Sequence, residues 1–184
     1  MKPQRYVALL RGVNVGGNNM VSMKTLKADF ERLGYEGVRT YINSGNIVFR
    51  AGEQDPRALE EQIDAMLVKK HRLKGKTVVR SCPEMARLVK TIDKTWKADP
   101  EWRYNVIFLR HTIDSKRVLS QIEHKPEIEQ IVYCPGTLLW SARVSGLTRT
   151  GMLKLSSRTI YQEMTVRNVN TTRKLLEMMQ AEES

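Results

Sequence analysis

Three segments of the chain carry side chains suited to binding or polarising a substrate. The first reads LLRGVNVGGNN over residues 9–19: an arginine ends an apolar run, and glycines and asparagines follow. Glycine-rich turns between a strand and a helix expose backbone N–H groups to anions. Gly12-x4-Gly17 has the first half of a nucleotide-hydrolysing loop's spacing, but Asn18-Asn19 stands where lysine and a hydroxyl residue are needed. The cation and the Mg²⁺ ligand are both missing, so nucleotide hydrolysis is not expected there. The second segment, TYINSGNIVF (40–49), offers Asn43, Ser44 and Asn46 around a turn. Amides supply donors and an acceptor, and they also cap turns. The third, TVRNVNTTRKLL (165–176), places Arg167, Asn168, Asn170, Thr171 and Thr172 at a helix start. Capping needs only one such residue, and an arginine beside a helix start suits an anion.

Basic residues are unevenly spread. The net charge is +11, a surplus that points to an anionic partner. Residues 65–97 hold ten Lys or Arg and two Asp or Glu. The densest part contributes Lys69, Lys70, Arg72, Lys74, Lys76 and Arg80, expected as a solvated basic patch. Residues 143–174 hold seven basic residues and one acidic. Trp96 lies at the end of the first stretch, with Trp102 and Tyr104 just beyond it, and basic residues with aromatics suit single-stranded nucleic acid.

Catalytic groups are sparse. His71, His111 and His124 share no metal-ligand spacing, and His71 is expected at the surface among lysines. Ser44 lacks a G-x-S-x-G context or a partner base. Glu60-Glu61 is expected on a polar helix face. The two cysteines, Cys82 and Cys134, match no redox or metal pattern and fit a reduced, cytoplasmic setting. No apolar run approaches the ~20 residues of a membrane helix, and the N-terminal run is too short for a signal peptide core. No metal, cofactor or membrane partner is expected.

The elements that must position these residues follow from periodicity. A strand over 5–11 precedes a helix capped by Ser22, with Met23, Leu26, Phe30 and Leu33 on one face. A hairpin follows across "NSG", then a helix opened by Asp55-Pro56 with Leu59, Ile63, Met66 and Leu67 buried, then the strand KTVVRS. Ser81 and Glu84 open a further helix as a capping box. Beyond a polar linker, the same order returns. The second copy has the strand YNVIFL, a helix over 114–122 and a hairpin across Cys134-Pro135-Gly136. A helix over 151–161, the strand MTVR and a last helix over 170–179 complete it. The prediction is an α+β chain with two ferredoxin-like βαββαβ subdomains, 1–97 and 98–184, each followed by an extra helix. In that topology the loop after strand one and the hairpin of strands two and three share one end of the sheet. Arg11, Asn14, Gly16, Gly17, Ser44 and Asn46 are therefore expected in one polar corner, with Arg167, Asn168 and Asn170 joining if the halves pack with those ends together.

The segments YVALLRGVNVGGNNMVSMKTL, VRTYINSGNIVF and VRNVNTTRKLLEM, in this order, resemble the bacterial family called domain of unknown function 1697. The resemblance implies a two-subdomain α+β fold and no particular activity. It adds Lys154, in LKLS, where the family carries a lysine. The chain departs from the family pattern at Val169, where tryptophan is usual, and at Asn43, where glutamine is common. The lost indole removes a packing or stacking surface.

The leading expectation is a cytoplasmic protein binding nucleic acid or a nucleotide through the polar corner and the basic face. Two alternatives stay open: an enzyme on a small phosphorylated or nucleotide-like substrate, and a scaffold whose motif residues lock the subdomains.

Overall fold

The computed structural model describes residues 3–14, 20–74 and 76–181. Gly16 and Gly17 of the predicted corner lie outside the described residues. The first half runs β1 (Pro3–Leu10), α1 (Met23–Arg32), β2 (Glu36–Tyr41), β3 (Asn46–Gly52), α2 (Pro56–His71), β4 (Thr77–Ser81) and α3 (Cys82–Thr95). Its strands form one antiparallel sheet in the order β2-β3-β1-β4.

The helical periodicity explains the packing. Leu26 and Phe30 of α1 and Leu59, Ile63, Met66 and Leu67 of α2 form one core with Tyr6, Ala8, Leu10, Ile47 and Phe49 of the sheet. Phe49 is its centre, with ring centroids of Tyr35 and Phe30 at 4.5 and 5.5 Å. Each buried Leu, Ile, Phe or Met side chain contributes about 1.5–3 kcal/mol. Asp55 caps α2 as predicted, its carboxylate accepting from Arg57 N at 2.9 Å. Ser22 precedes α1, but its side chain makes no capping bond.

β4 is an edge strand, and its outward N–H groups are taken up by carboxylates. Thr77 N donates to Asp64 Oδ1 (2.8 Å), Val79 N to Glu60 Oε1 (3.0 Å) and Ser81 N to Glu84 Oε2 (2.7 Å). Glu60 and Asp64 are one turn apart on α2, so one helix face seals two positions of the edge. The expectation that Glu60 lies on a polar face is thus corrected: it is buried, and the Arg80 guanidinium lies 3.7 Å away. The sequence does carry the signal, since Glu60, Ile63 and Leu67 share one helix face.

The second half comprises β5 (Trp102–Leu109), β6 (Glu129–Cys134), β7 (Thr137–Arg143), α4 (Met152–Leu155), β8 (Met164–Asn168) and α5 (Val169–Gln180). Its sheet repeats the first, in the order β6-β7-β5-β8. The helix predicted over 114–122 is instead two 3-10 turns, His111–Ile113 and Lys116–Gln121. Asp114 is drawn away to the hairpin, and the Ser115 hydroxyl accepts from Arg117 N. The helix predicted over 151–161 is cut to the single turn α4 and a 3-10 turn, Thr159–Glu163. Ser156 and Ser157 donate back to the Leu153 and Lys154 carbonyls, which offers the backbone an early stop.

Register makes the repeat residue-by-residue. Val7 faces Arg80 as Val106 faces Arg167, and Leu9 faces Asn46 as Phe108 faces Thr137. The chain divides into two compact units, one of Met1–Arg87 with Arg173–Ser184 and the other of Leu88–Thr172. The end of α5 joins the first unit because Arg5 donates to Met179 O (2.8 Å) and Arg39 to Met178 O. Two cations thus meet the negative end of the helix dipole. Among the described residues no helix is long and apolar enough to cross a membrane.

Candidate functional site

The corner of the first unit starts from a backbone bond: Leu10 N donates to Gly45 O at 2.8 Å. Gly45 has φ +71°, and a Cβ there would lie 2.8 Å from Leu10 Cβ, so only glycine fits. Asn14, itself left-handed at φ 55°, accepts from Val21 N at 2.7 Å. Its amide donates to Val21 O (2.9 Å) and Asn43 O (3.0 Å). One side chain therefore joins residue 14 to Val21 and to the turn at Asn43. Asn46 is fully buried, its amide donating to Tyr41 O (3.1 Å) and Ser44 Oγ (3.0 Å). The structure brings Asn14, Asn43, Ser44 and Asn46 together, with Arg11 half-buried at the strand end. The amides of Asn14 and Asn46 are committed to their neighbours. At the turn, Ile42 is exposed with φ 46°, a rare conformation for a β-branched residue.

The basic segment is sorted by α2. Lys70 and His71 reach the buried carboxylate of Asp29 on α1, at 2.6 and 2.7 Å, and Arg32 joins at 2.9 Å. Burial alone would push the Asp29 carboxyl up, but hydrogen bonds from Lys70, His71 and Arg32 together hold it below its usual range. His71 is thus an internal partner and not a free surface histidine. Arg80 is buried, with Nη1 donating to Val79 O at 2.7 Å, and does not join a solvated patch. Lys76 is half-buried. Lys69, Arg72 and Lys74 are the exposed members besides Lys70. Arg72 terminates α2 in the left-handed conformation, φ 54°. Its N–H returns to Val68 O, and Leu73 N to Leu67 O, with Leu73 buried beneath. This is the helix-ending geometry in which glycine is the usual residue.

The second unit carries the remaining motif. Arg167, on β8, is buried, and Nη1 donates to Thr165 Oγ1 and Val166 O, both at 2.8 Å. Burial lowers its guanidinium from 12.5 to about 10. Asn168, not Asn170, caps α5: its Oδ1 accepts from Asn170 N at 2.8 Å. Asn170 is exposed. Lys154 lies elsewhere in this unit, on α4, 2.8 Å from Glu123.

Sequence reasoning missed the buried acids Asp29, Glu60 and Glu129. Asp29 shares its helix face with Leu26, Phe30 and Leu33, and that periodicity is the signal that could have found it. Burial pushes both cysteine thiols up, with Arg5 partly opposing the effect at Cys82. Among the described residues no group of His, Cys, Asp and Glu is arranged to hold a metal ion.

Comparison with known proteins adds the evolutionary frame. The chain is similar in structure to the conserved bacterial protein SP0830 from Streptococcus pneumoniae, with a TM-score of 0.85 and 26% identity, covering 97% of this chain and 100% of that one. No curated protein matches significantly. Residues 3–140 match the family described as protein of unknown function, DUF1697. With most of its length matched and both ferredoxin-like sheets in place, the chain belongs to the DUF1697 family.

Proposed function

We propose that the protein binds nucleic acid through the basic end of α2, with Lys69, Arg72 and Lys74 meeting phosphates. The reading rests on Arg72. Lysines in the last turn of a helix already complement its dipole, so Lys69 and Lys70 have a local explanation. Arg72 does not. It occupies a left-handed position where glycine carries less strain, and its side chain is exposed. An arginine at a strained, solvent-facing position points to a use for its guanidinium. Asp29 fixes the platform by holding Lys70 and His71 against α1. Phosphate binding by such a face is electrostatic and releases counterions, so affinity for a single-stranded oligonucleotide falls as salt rises. Replacing Lys69, Arg72 and Lys74 together by alanine lowers the slope of log K against log salt by about 2, at roughly 0.7 per lost contact on a single strand. An unchanged slope refutes the assignment. For the polar corner a second reading is favoured by its hydrogen bonds: Asn14 and Asn46 act as clasps that shape the first unit, not as ligand contacts.

A further inference from the structure

An open groove of about 520 Å³ lies in the second unit, between the segment Glu123–Lys125 and the segment Thr148–Lys154. Its two lips are tied by a buried acid. Glu129, at the start of β6, accepts from Lys125 N (2.8 Å) on one lip and Gly151 N (2.6 Å) on the other, and its second oxygen accepts from Trp140 Nε1 (2.7 Å). Three N–H donors satisfy this carboxylate without a cation among them. The lips approach so closely that a Cβ on Gly151 would sit 2.1 Å from Glu123 O. Lys125, Arg149 and Lys154 line the groove with His124. The exposed Glu123 carboxylate on one lip bridges Lys154 Nζ (2.8 Å), on the other lip, and Arg158 Nη2 (2.6 Å).

We propose that this groove is a binding site for the phosphate group of a small molecule, with the Glu123 carboxylate pairing the two cations that the phosphate would take. The volume suits a small ligand. The frame is fixed in advance by Glu129, which reduces the ordering needed on binding. Solvent-exposed ion pairs hold weakly, so a dianionic phosphate can take Lys154 and Arg158 from Glu123. Lys125 and Arg149 then add charge from either lip. This site shares no residue with the end of α2, and its failure or success leaves the nucleic-acid reading untouched.

The test is calorimetric titration of the intact protein with pyrophosphate, alongside its single-site variants. Glu123→Gln removes the internal competitor while keeping its shape, and affinity rises about three- to tenfold. Lys154→Ala and Arg149→Ala each weaken affinity about tenfold, the scale of one charge-assisted contact. Arg72→Gly leaves pyrophosphate affinity unchanged. Unaltered melting curves for the Glu123 and Lys154 variants, both exposed, confirm that folding is intact. Absence of pyrophosphate binding at millimolar concentration overturns the proposal, as does equal or weaker binding by Glu123→Gln. Displacement of pyrophosphate by a single-stranded oligonucleotide overturns the assignment to a small ligand.

Discussion

The two units close the same end of their sheets with the same backbone bond and opposite side-chain chemistry. Leu10 N donates to Gly45 O at 2.8 Å, and Leu109 N to Gly136 O at 2.9 Å; both glycines have positive φ. In the first unit the clasp is the neutral amide of Asn14. In the second it is the carboxylate of Asp114, which accepts from Gly136 N (2.8 Å) and Tyr133 OH (2.9 Å). Arg110, which follows β5 as Arg11 follows β1, lies 3.6 Å from Glu163. Residues 10–22 and 41–46 contain no acid at all. At the fourth strand the pattern reverses. Arg80 faces the carboxylate of Glu60, whereas Arg167 rests on a hydroxyl and a carbonyl. Topology fixes where a polar group is needed, and either a charged or a neutral group can meet the need.

Substitutions can break this comparison. The largest effect is expected at the fourth strand. Glu60→Ala leaves Arg80 buried without that carboxylate and Val79 N without its acceptor, and costs about 3–5 kcal/mol in denaturant unfolding. Thr165→Val beside Arg167 removes one neutral acceptor and costs about 1–3 kcal/mol. Equal losses would mean that the charge on Glu60 does not matter. Next come the corner glycines. Gly45→Ala combines a left-handed backbone with a clash on Leu10, for about 2–4 kcal/mol. Gly136→Ala incurs at least the left-handed backbone cost, about 1–2 kcal/mol.

The clasp itself is a smaller lever. Asn14→Asp keeps the acceptor for Val21 N but turns the two donated bonds into oxygen–oxygen contacts, costing about 1–3 kcal/mol. Asp114→Asn keeps an acceptor toward Gly136 N and should cost less. The smallest effect is read as a slope against pH. The Asp29 carboxyl is held below its ordinary value of 3.8, so its contribution is fully present above that range. It is lost as pH falls through the folded-state value. Asp29→Asn should flatten that part of the acid limb, and an unchanged acid limb would show that the cluster with Lys70 and His71 adds no pH dependence.

Much of the fold was legible. The strand and helix periods of the first half match the observed elements closely, and the stripe from Leu59 to Leu67 is buried as spaced. The corner also follows from topology, because strands one and two must end together. What could not be read was the destination of polar groups over long range. Arg80 and Lys70 belong to a run that looks solvated, yet Arg80 is buried beside Glu60, and Lys70, though exposed, is paired with the buried Asp29. The shortened helices of the second half were hidden for a related reason. Their local pattern is helical, but Asp114 is pulled to a hairpin 22 residues away, and serine hydroxyls compete near α4.

The proposed nucleic-acid binding requires that Arg72 sit in its strained position for the sake of its charge. Arg72→Gly tests it with two readouts on one protein: the melting temperature and oligonucleotide affinity across a salt series. Glycine relieves the left-handed backbone, so the melting temperature should stay level or rise. Affinity should fall, with the salt slope reduced by about 0.7, the loss of one phosphate contact on a single strand. A variant that melts lower while binding as tightly as the parent would contradict the account and make Arg72 a structural residue.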